Sequence, residues 1–388
     1  MAERRKIGLI YSYNENWIGG TYYIENMIQA LNSQEDENKP HLTILSYSEA
    51  DFSTLQQRLS YPYWSFKSLC MDYNLLERVI NKLTKKIFGQ PLIEKFIDGI
   101  DSIFPNEYIR VLHKIPVKIN WIPDFQEHFI PEVNKPKDIE FRKRHQFKIA
   151  MSMEHLVLSS KNALHHFKTL YPQHTVKTHV LPFAVTHPEL QEISIKSLLK
   201  KYNLPQTYFL SPNQFWKHKN HIVIIKAVEL LKENGFDNIT IAFTGIANDC
   251  RNPGYFKDIL KEVETRNLHT NIIFLGFIDR VDQLQLMKYA IAIIQPSLFE
   301  GWSTVIEDCK SLNKKVIASA IEVHKEQLAN SNASYFLPED YEKLADFILK
   351  TQDEGDTVLY DSFDYSKNIL AFGSLTNQIL RVDANSQY

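Results

Sequence analysis

The sequence predicts an α/β chain folded as two facing domains, each a doubly wound parallel sheet, with a cleft between them. Short apolar runs alternate with helix-length segments along the whole chain, which is the pattern of parallel β-α-β units. The runs fall into two sets, one beginning at Lys6 and the other at Thr207. Between them lies Leu181 to Pro188 (LPFAVTHP), a proline-bounded segment without helical period that reads as an interdomain hinge. A chain of 388 residues has room for two such domains at about 150 residues each. The expected division is 1–183, 184–364 and a terminal segment 365–388 containing a helix that returns to the first domain.

In the first domain, strands are expected at Lys6 to Tyr11, His41 to Ser46, Gly99 to Phe104, Val117 to Ile122 and His155 to Leu158. After the first strand, Gly19-Gly20 forms a glycine turn leading into an amphipathic helix through Leu31. Leu75 to Phe96 is a basic amphipathic stretch, with Leu75, Leu76, Val79, Ile80, Leu83, Ile87 and Phe88 at helical spacing beside Arg78, Lys82, Lys85 and Lys86. The expected use is a domain helix that buries its apolar face. The alternative is peripheral contact with an anionic membrane. In the second domain, strands are expected at Thr207 to Leu210, Ile239 to Phe243, Asn271 to Leu275, Ala290 to Ile294, Lys315 to Ala318 and Ser334 to Leu337. The final helix spans Tyr365 to Leu380, with Gly373 interrupting it at a cost of about 1 kcal/mol relative to alanine.

Composition narrows the function classes. Hydrophobic residues make up 44% and charged residues 23%, which suits a globular chain with a large core and not a disordered one. Lys+Arg 44 against Asp+Glu 46 leaves a net charge of −2, so no basic field exists to hold nucleic acid. Cys70, Cys250 and Cys309 are scattered and odd in number, which fits a reducing compartment. No signal peptide is legible, and no apolar run approaches the roughly 18 residues of a membrane span. The expected location is cytoplasmic, with peripheral contact at the inner face of the membrane as the alternative.

In doubly wound sheets, ligands bind beyond the carboxyl ends of the strands, so the residues following strands are the candidate site. The segment PSLFEGWSTVIED, Pro296 to Asp308, follows one strand and opens a helix. Ser303 and Thr304 are N-cap residues, Gly301 permits close backbone approach, and Trp302 adjoins them, so the helix amides form an anion site. Glu300 precedes the helix and Glu307 lies inside it; carboxylates accept hydrogen bonds from sugar hydroxyls. An anion site beside such acceptors describes a sugar phosphate. The plain alternative is a capped helix with two solvated glutamates.

This segment resembles the retaining glycosyltransferases of family 4, which have the GT-B fold of two facing Rossmann-like domains. Family pairs of glutamates flank seven residues; here Glu300 and Glu307 flank six, and Asp308 stands at the seven-residue separation. The better match is a subgroup with EGWST, V-x-E and then VHxEQ, present here as Val323-His324-Lys325-Glu326-Gln327. The resemblance implies that Glu300 contacts the donor sugar and that Glu307 or Asp308 contacts the nucleotide ribose.

Further candidates follow from the same resemblance. In LSPNQFWKHKNH, Lys219 matches the lysine that neutralises the diphosphate, while Asn213 or Gln214 stands near the place of the usual arginine. Lys217 and Lys219 otherwise read as a basic surface turn, and His218 with His221 lacks the companions of a metal site. Gly245 and Gly276, the latter followed by Phe277, end strands where the backbone can meet the donor and its base. Gly19-Gly20 brings amides to the donor phosphates without being a GxGxxG fingerprint. In NWIPDFQEHFIPE, Asp124, Gln126 and His128 follow a strand near the reacting sugar, although relatives read DFQH and Glu127 intervenes here.

The resemblance implies transfer from a nucleoside diphosphate sugar to a glycan or lipid-linked acceptor, with retained configuration. No cofactor is expected, and metal independence is expected because no DxD follows an apolar strand. The rivals are a nucleotide-sugar epimerase or hydrolase on the same fold, and a non-catalytic sugar-nucleotide or glycan-binding protein.

Overall fold

The structure, a computed structural model, describes residues 3–15, 18–187, 194–355 and 358–383. The first domain holds seven strands: β1 (Lys6–Ile10), β2 (His41–Ser46), β3 (Trp64–Ser68), β4 (Ser102–Phe104), β5 (Val117–Ile122), β6 (His155–Leu158) and β7 (Lys177–Val180). Its helices are α1 (Ile18–Asn32), α2 (Glu49–Arg58), α3 (Leu75–Phe88), α4 (Gln126–Phe129), α5 (Pro136–Ala150) and α6 (Lys161–Leu170). The sheet order is β3-β2-β1-β4-β5-β6-β7, parallel throughout.

The second domain holds β8 (Phe209–Ser211), β9 (Ile241–Phe243), β10 (Ile272–Phe274), β11 (Ile293–Gln295), β12 (Val316–Ser319) and β13 (Ser334–Phe336). Its helices are α7 (Ile195–Lys201), α8 (His221–Glu233), α9 (Tyr255–Thr265), α10 (Arg280–Tyr289), α11 (Thr304–Ser311), α12 (Glu322–Gln327) and α13 (Tyr341–Glu354), and α14 (Ser366–Leu380) follows. The order β10-β9-β8-β11-β12-β13 is again all parallel. In both sheets the strand order reverses beside the first strand, which opens a crevice at the carboxyl ends.

Central strands are apolar because helices cover both faces of a parallel sheet. Leu9 of β1 and Phe104 of β4 enter one core with α1, and Ile10 and Ile103 enter another on the opposite face. All the strands read from apolar runs are present; β2, β5 and β6 have the expected bounds and the others differ at one or both ends. Two more, β3 (WSFKS) and β7 (KTHV), occupy the edges of the first sheet and have no fully buried residue. An edge strand buries less, so its sequence carries no apolar run.

Two local expectations are corrected, at Gly19-Gly20 and at the stretch from Leu75. Gly19 and Gly20 are not a turn ahead of a helix but lie in the first turn of α1. The segment 181–187, expected as an interdomain hinge, is irregular, and Leu181, Phe183, Ala184 and Val185 are buried in the core around α1. Pro188, its expected end, lies outside the described residues. The amphipathic stretch from Leu75 is helical only to Phe88, and none of its residues is buried. Its apolar face is therefore not covered by the domain.

Helix α14 leaves the second domain and packs along α1, with Phe372, Ile379 and Leu380 in the first-domain core. Gly373 has a specific reason to be there: a Cβ at this position would stand 2.1 Å from the Ala30 carbonyl oxygen of α1. Ser102 at the start of β4 also donates to the Leu380 carbonyl at 2.6 Å.

Candidate active site in the interdomain cleft

A cavity of about 1030 Å³ lies between the domains, lined from both sides. Gly19, Gly20, Asp124, Asn213, Lys219, Gly245, Phe277, Glu300, Gly301, Trp302, Ser303, Thr304 and Asp308 all line it. Gly276, Glu307 and His128 do not.

The loop between β11 and α11 carries the chemistry. Glu300 Oε1 accepts hydrogen bonds from Lys219 Nζ at 2.5 Å, Ser297 Oγ at 2.7 Å and Gln295 Nε2 at 3.0 Å. Among the described residues no donor is bonded to Oε2. One carboxylate oxygen is thus fixed and the other is left to accept. Lys219 reaches this point from a 3₁₀ turn, Lys217–Lys219, which Asn220 ends in the left-handed region at φ 56°. Asn220 then ties the two loops together by donating to the Pro296 carbonyl at 3.2 Å.

Ser303 caps α11 by accepting from the Ile306 amide at 3.4 Å, and Gln327 holds Ser303 through its amide and carbonyl at 3.0 and 2.8 Å. No acceptor is bonded to the Thr304 and Val305 amides among the described residues, so the amino end of α11 presents donors to the cavity. The VHKEQ segment acts from behind this loop. Its His324 bonds Ser319 through Nδ1, and Ser319 Oγ donates to the Ser297 carbonyl at 2.6 Å. Burial pushes the His324 imidazole down to about 4, so it is neutral at pH 7.

The two carboxylates inside α11 separate cleanly. Glu307 points away from the cavity and is buried with Lys310 at 2.9 Å, Gln327 at 2.8 Å and Tyr365 at 2.6 Å. Asp308 faces the cavity, where Arg280 binds both its oxygens at 2.5 and 2.8 Å and His187 Nε2 lies 3.0 Å from Oδ1. Against the opposing effect of burial, Arg280 and His187 hold the Asp308 carboxyl below its ordinary value. Arg280 escaped sequence reading, although FLGFIDR contains it; Asp279 caps α10 and so places Arg280 at the cavity.

From the first domain, Asp124 reaches the cavity after β5, accepting from the Gln126 amide at 3.0 Å. Burial pushes its carboxyl up, and the nearby Glu127 and Glu300 add to that. Gln126 turns toward the domain boundary and accepts from Arg251 Nη1 at 2.8 Å. His128 turns inward instead, 2.9 Å from Gln146 Oε1. Its partners within the first domain hold it there, Gln146 and the Tyr171 hydroxyl, which lies 3.5 Å from Nε2. His218 lies beside Arg251, and burial, with Lys219 and then Arg251 adding to it, drives its imidazole well below the ordinary value.

The glycines mark close approaches. At Gly301 a Cβ would stand 2.0 Å from the Pro123 carbonyl oxygen of the first domain, so the space it leaves is taken by protein backbone. At Gly245, with φ +155°, a Cβ would stand 2.3 Å from the Asn213 carbonyl oxygen. The Gly276 carbonyl accepts from Gly245 N at 2.9 Å and Thr244 Oγ1 at 2.8 Å, which is a positioning role. Asn213 Nδ2 bonds Gln295 Oε1 at 2.9 Å, tying β8 to β11. Among the described residues no group of three or more His, Cys, Asp or Glu side chains is arranged to hold a metal ion.

Comparison with known proteins agrees with this layout. A family model described as "Glycosyl transferases group 1" matches residues 195–357, which include all six strands of the second sheet. No curated protein matches the chain. Among solved structures, a glycosyltransferase from Rickettsia africae superposes with a TM-score of 0.63 at 15% identity, covering 97% of this chain and 93% of that one. Sucrose-phosphate synthase from Thermosynechococcus elongatus gives 0.63 at 15% identity, covering 97% and 94%. Anabaena Alr3699/HepE, solved in complex with UDP and glucose, gives 0.61 at 14% identity, covering 98% and 96%. At such identities the likeness shows the fold, which is GT-B.

Proposed function

We propose that the protein is a glycosyltransferase of family 4 type. It takes a sugar from a nucleoside diphosphate sugar and joins it, with retained configuration, to a hydroxyl of a glycan or lipid-linked acceptor. The observation that carries this reading is the Lys219–Glu300 pair at 2.5 Å, set in a cleft lined by the first turns of α1 and α11. The helix ends and Lys219 attract a diphosphate, and the free Glu300 oxygen accepts from sugar hydroxyls. In this reading the bond from the anomeric carbon to the phosphate oxygen breaks, and a bond to the acceptor oxygen forms on the same face. The acceptor proton passes to the departing phosphate, so no side chain need serve as base. Asp308, oriented by Arg280, meets the nucleotide ribose, and Asp124 borders the reacting sugar. The UDP bound by the Anabaena neighbour supports uridine nucleotides as the first donors to test.

Thermal unfolding with a panel of nucleoside diphosphates and their sugars identifies the donor, since a ligand at 100 times its Kd adds about 2.7 kcal/mol. The anomeric configuration of the product, read by NMR, then tests retention. Consumption of donor without acceptor would point to an epimerase or hydrolase, and stabilisation without turnover to a binding protein. In this reading Lys219 and the helix ends do what a bridging cation does elsewhere, so chelation by EDTA is expected to leave the transfer rate unchanged. A rate restored only by added divalent cation would overturn that assignment.

A further inference from the structure

Helix α3 presents the wrong side to the protein for an ordinary domain helix. Its 14 residues stand on an excursion between β3 and β4, and its inner contacts are polar. Asn81 exchanges two hydrogen bonds with Ile93, at 2.9 and 2.8 Å, and Thr84 Oγ1 accepts from the Leu92 amide at 3.0 Å. Glu77, the sole acid of the helix, turns inward to Lys95 at 2.8 Å. The outer side is apolar: Leu75, Leu76, Val79, Leu83 and Ile87 are 81, 69, 48, 55 and 68% exposed.

The helix is nonetheless firmly specified. Asn74 and Glu77 form a capping box at its start, and Gly89 ends it in the left-handed conformation at φ 75°. A stretch built to be helical while exposing its apolar side requires an occupant for that side. The charges identify it. Arg78, Lys82, Lys85 and Lys86 are all exposed and run beside the apolar stripe at helical spacing, with no outward acid among the helix residues. A second copy meeting this face by two-fold symmetry would set cations close to cations. An anionic bilayer accepts both parts, with the stripe entering the acyl boundary and the long basic side chains reaching the head groups.

We infer that α3 docks the protein on an anionic lipid surface. The position of the helix gives docking a use. It follows β3 at the carboxyl end of a parallel sheet, the same end at which β5 delivers Asp124 to the cleft. A docked α3 therefore holds that end of the domain toward the surface from which a lipid-linked acceptor comes; this last step rests on the transferase reading, whereas docking itself does not.

The test is sedimentation of the full chain with vesicles of phosphatidylcholine and phosphatidylglycerol, compared with phosphatidylcholine alone. Binding is expected with the anionic vesicles and should weaken as salt rises. Replacing Lys82, Lys85 and Lys86 together by Gln is expected to lower partitioning about a hundredfold, from about 1 kcal/mol per lysine near the surface. Val79→Ser with Leu83→Ser and Ile87→Ser is expected to abolish it at every salt concentration, with circular dichroism confirming the fold. Absence of binding to anionic vesicles at low salt overturns the inference, as does binding indifferent to both sets of substitutions. Self-association in the absence of lipid that the serine variant abolishes would assign the face to a second copy and overturn it too. A chain that binds vesicles yet transfers no sugar would sink the transferase reading alone.

Discussion

Glu300→Gln keeps the shape of the side chain but replaces a charged acceptor with an amide, beside a lysine that the carboxylate neutralises. Transfer is expected to be largely abolished while the melting curve stays cooperative; near-normal turnover by the folded variant would remove Glu300 from the mechanism. Lys219→Ala is expected to cost about 2 to 4 kcal/mol of transition-state stabilisation, read as a fall in kcat with the true donor. Asp124 allows a test by pH. Its carboxyl is raised in the fold above the ordinary 3.8, so the native state binds more protons than the unfolded chain once pH exceeds that value. Stability is therefore lost as pH rises from 3.8 through the folded value and is fully missing above it. Asp124→Asn should raise Tm at pH 7, and the gain should vanish as pH falls toward 3.8; equal Tm values at pH 7 would show that burial does not strain this carboxyl.

Helices and loops explain which residues were legible. Glu300 and Lys219 stand in loops or short turns that follow strands, where topology alone directs them to the ligand end, whereas Glu307 and Asp308 both lie inside α11 and stood as alternatives in the sequence. His128 and Glu307 stand as near in sequence, but each is held inward by partners distant along the chain, Gln146 and Tyr171 for the one and Gln327 and Tyr365 for the other, and such partners cannot be read from one chain. Arg280 and His187 were hidden for another reason: their common partner, Asp308, is contributed by a third element. The sheets were legible except at the two edges of the first one, β3 and β7, where no apolar run exists. Gly373 shows packing overriding propensity. Gly373→Ala gains about 1 kcal/mol in helix propensity but drives a Cβ into the Ala30 carbonyl, which cannot retreat like a flexible side chain. Overpacking of about 1 to 3 kcal/mol should win, lowering Tm; a higher Tm would mean that α14 can lift from α1 at little cost.

Across the whole molecule, the domains already touch around the cleft. Glu326 of α12 accepts from the Lys161 and Asn162 amides at the start of α6, both at 2.9 Å, Trp302 Nε1 donates to the Phe183 carbonyl at 3.1 Å, and Arg251 meets Gln126. A ligand shifts a conformational balance only through contacts it makes in one state and not the other. With these contacts in place before a donor arrives, the radius of gyration from small-angle scattering should stay unchanged at saturating nucleoside diphosphate. A clear decrease would reveal an open state that dominates in solution.

The packing of α14 on α1 also imposes an order on biosynthesis. The first domain cannot complete its core until residues 366–380 have left the ribosome, although the rest of that domain is made roughly 180 residues earlier. At about 5–20 residues per second, that is a wait on the order of ten seconds or more, during which the α1 groove around Ala30 lies open to water or to a chaperone. Moving the α14 sequence ahead of β1 by circular permutation would remove the wait, letting the first domain close its core while the second is still being translated.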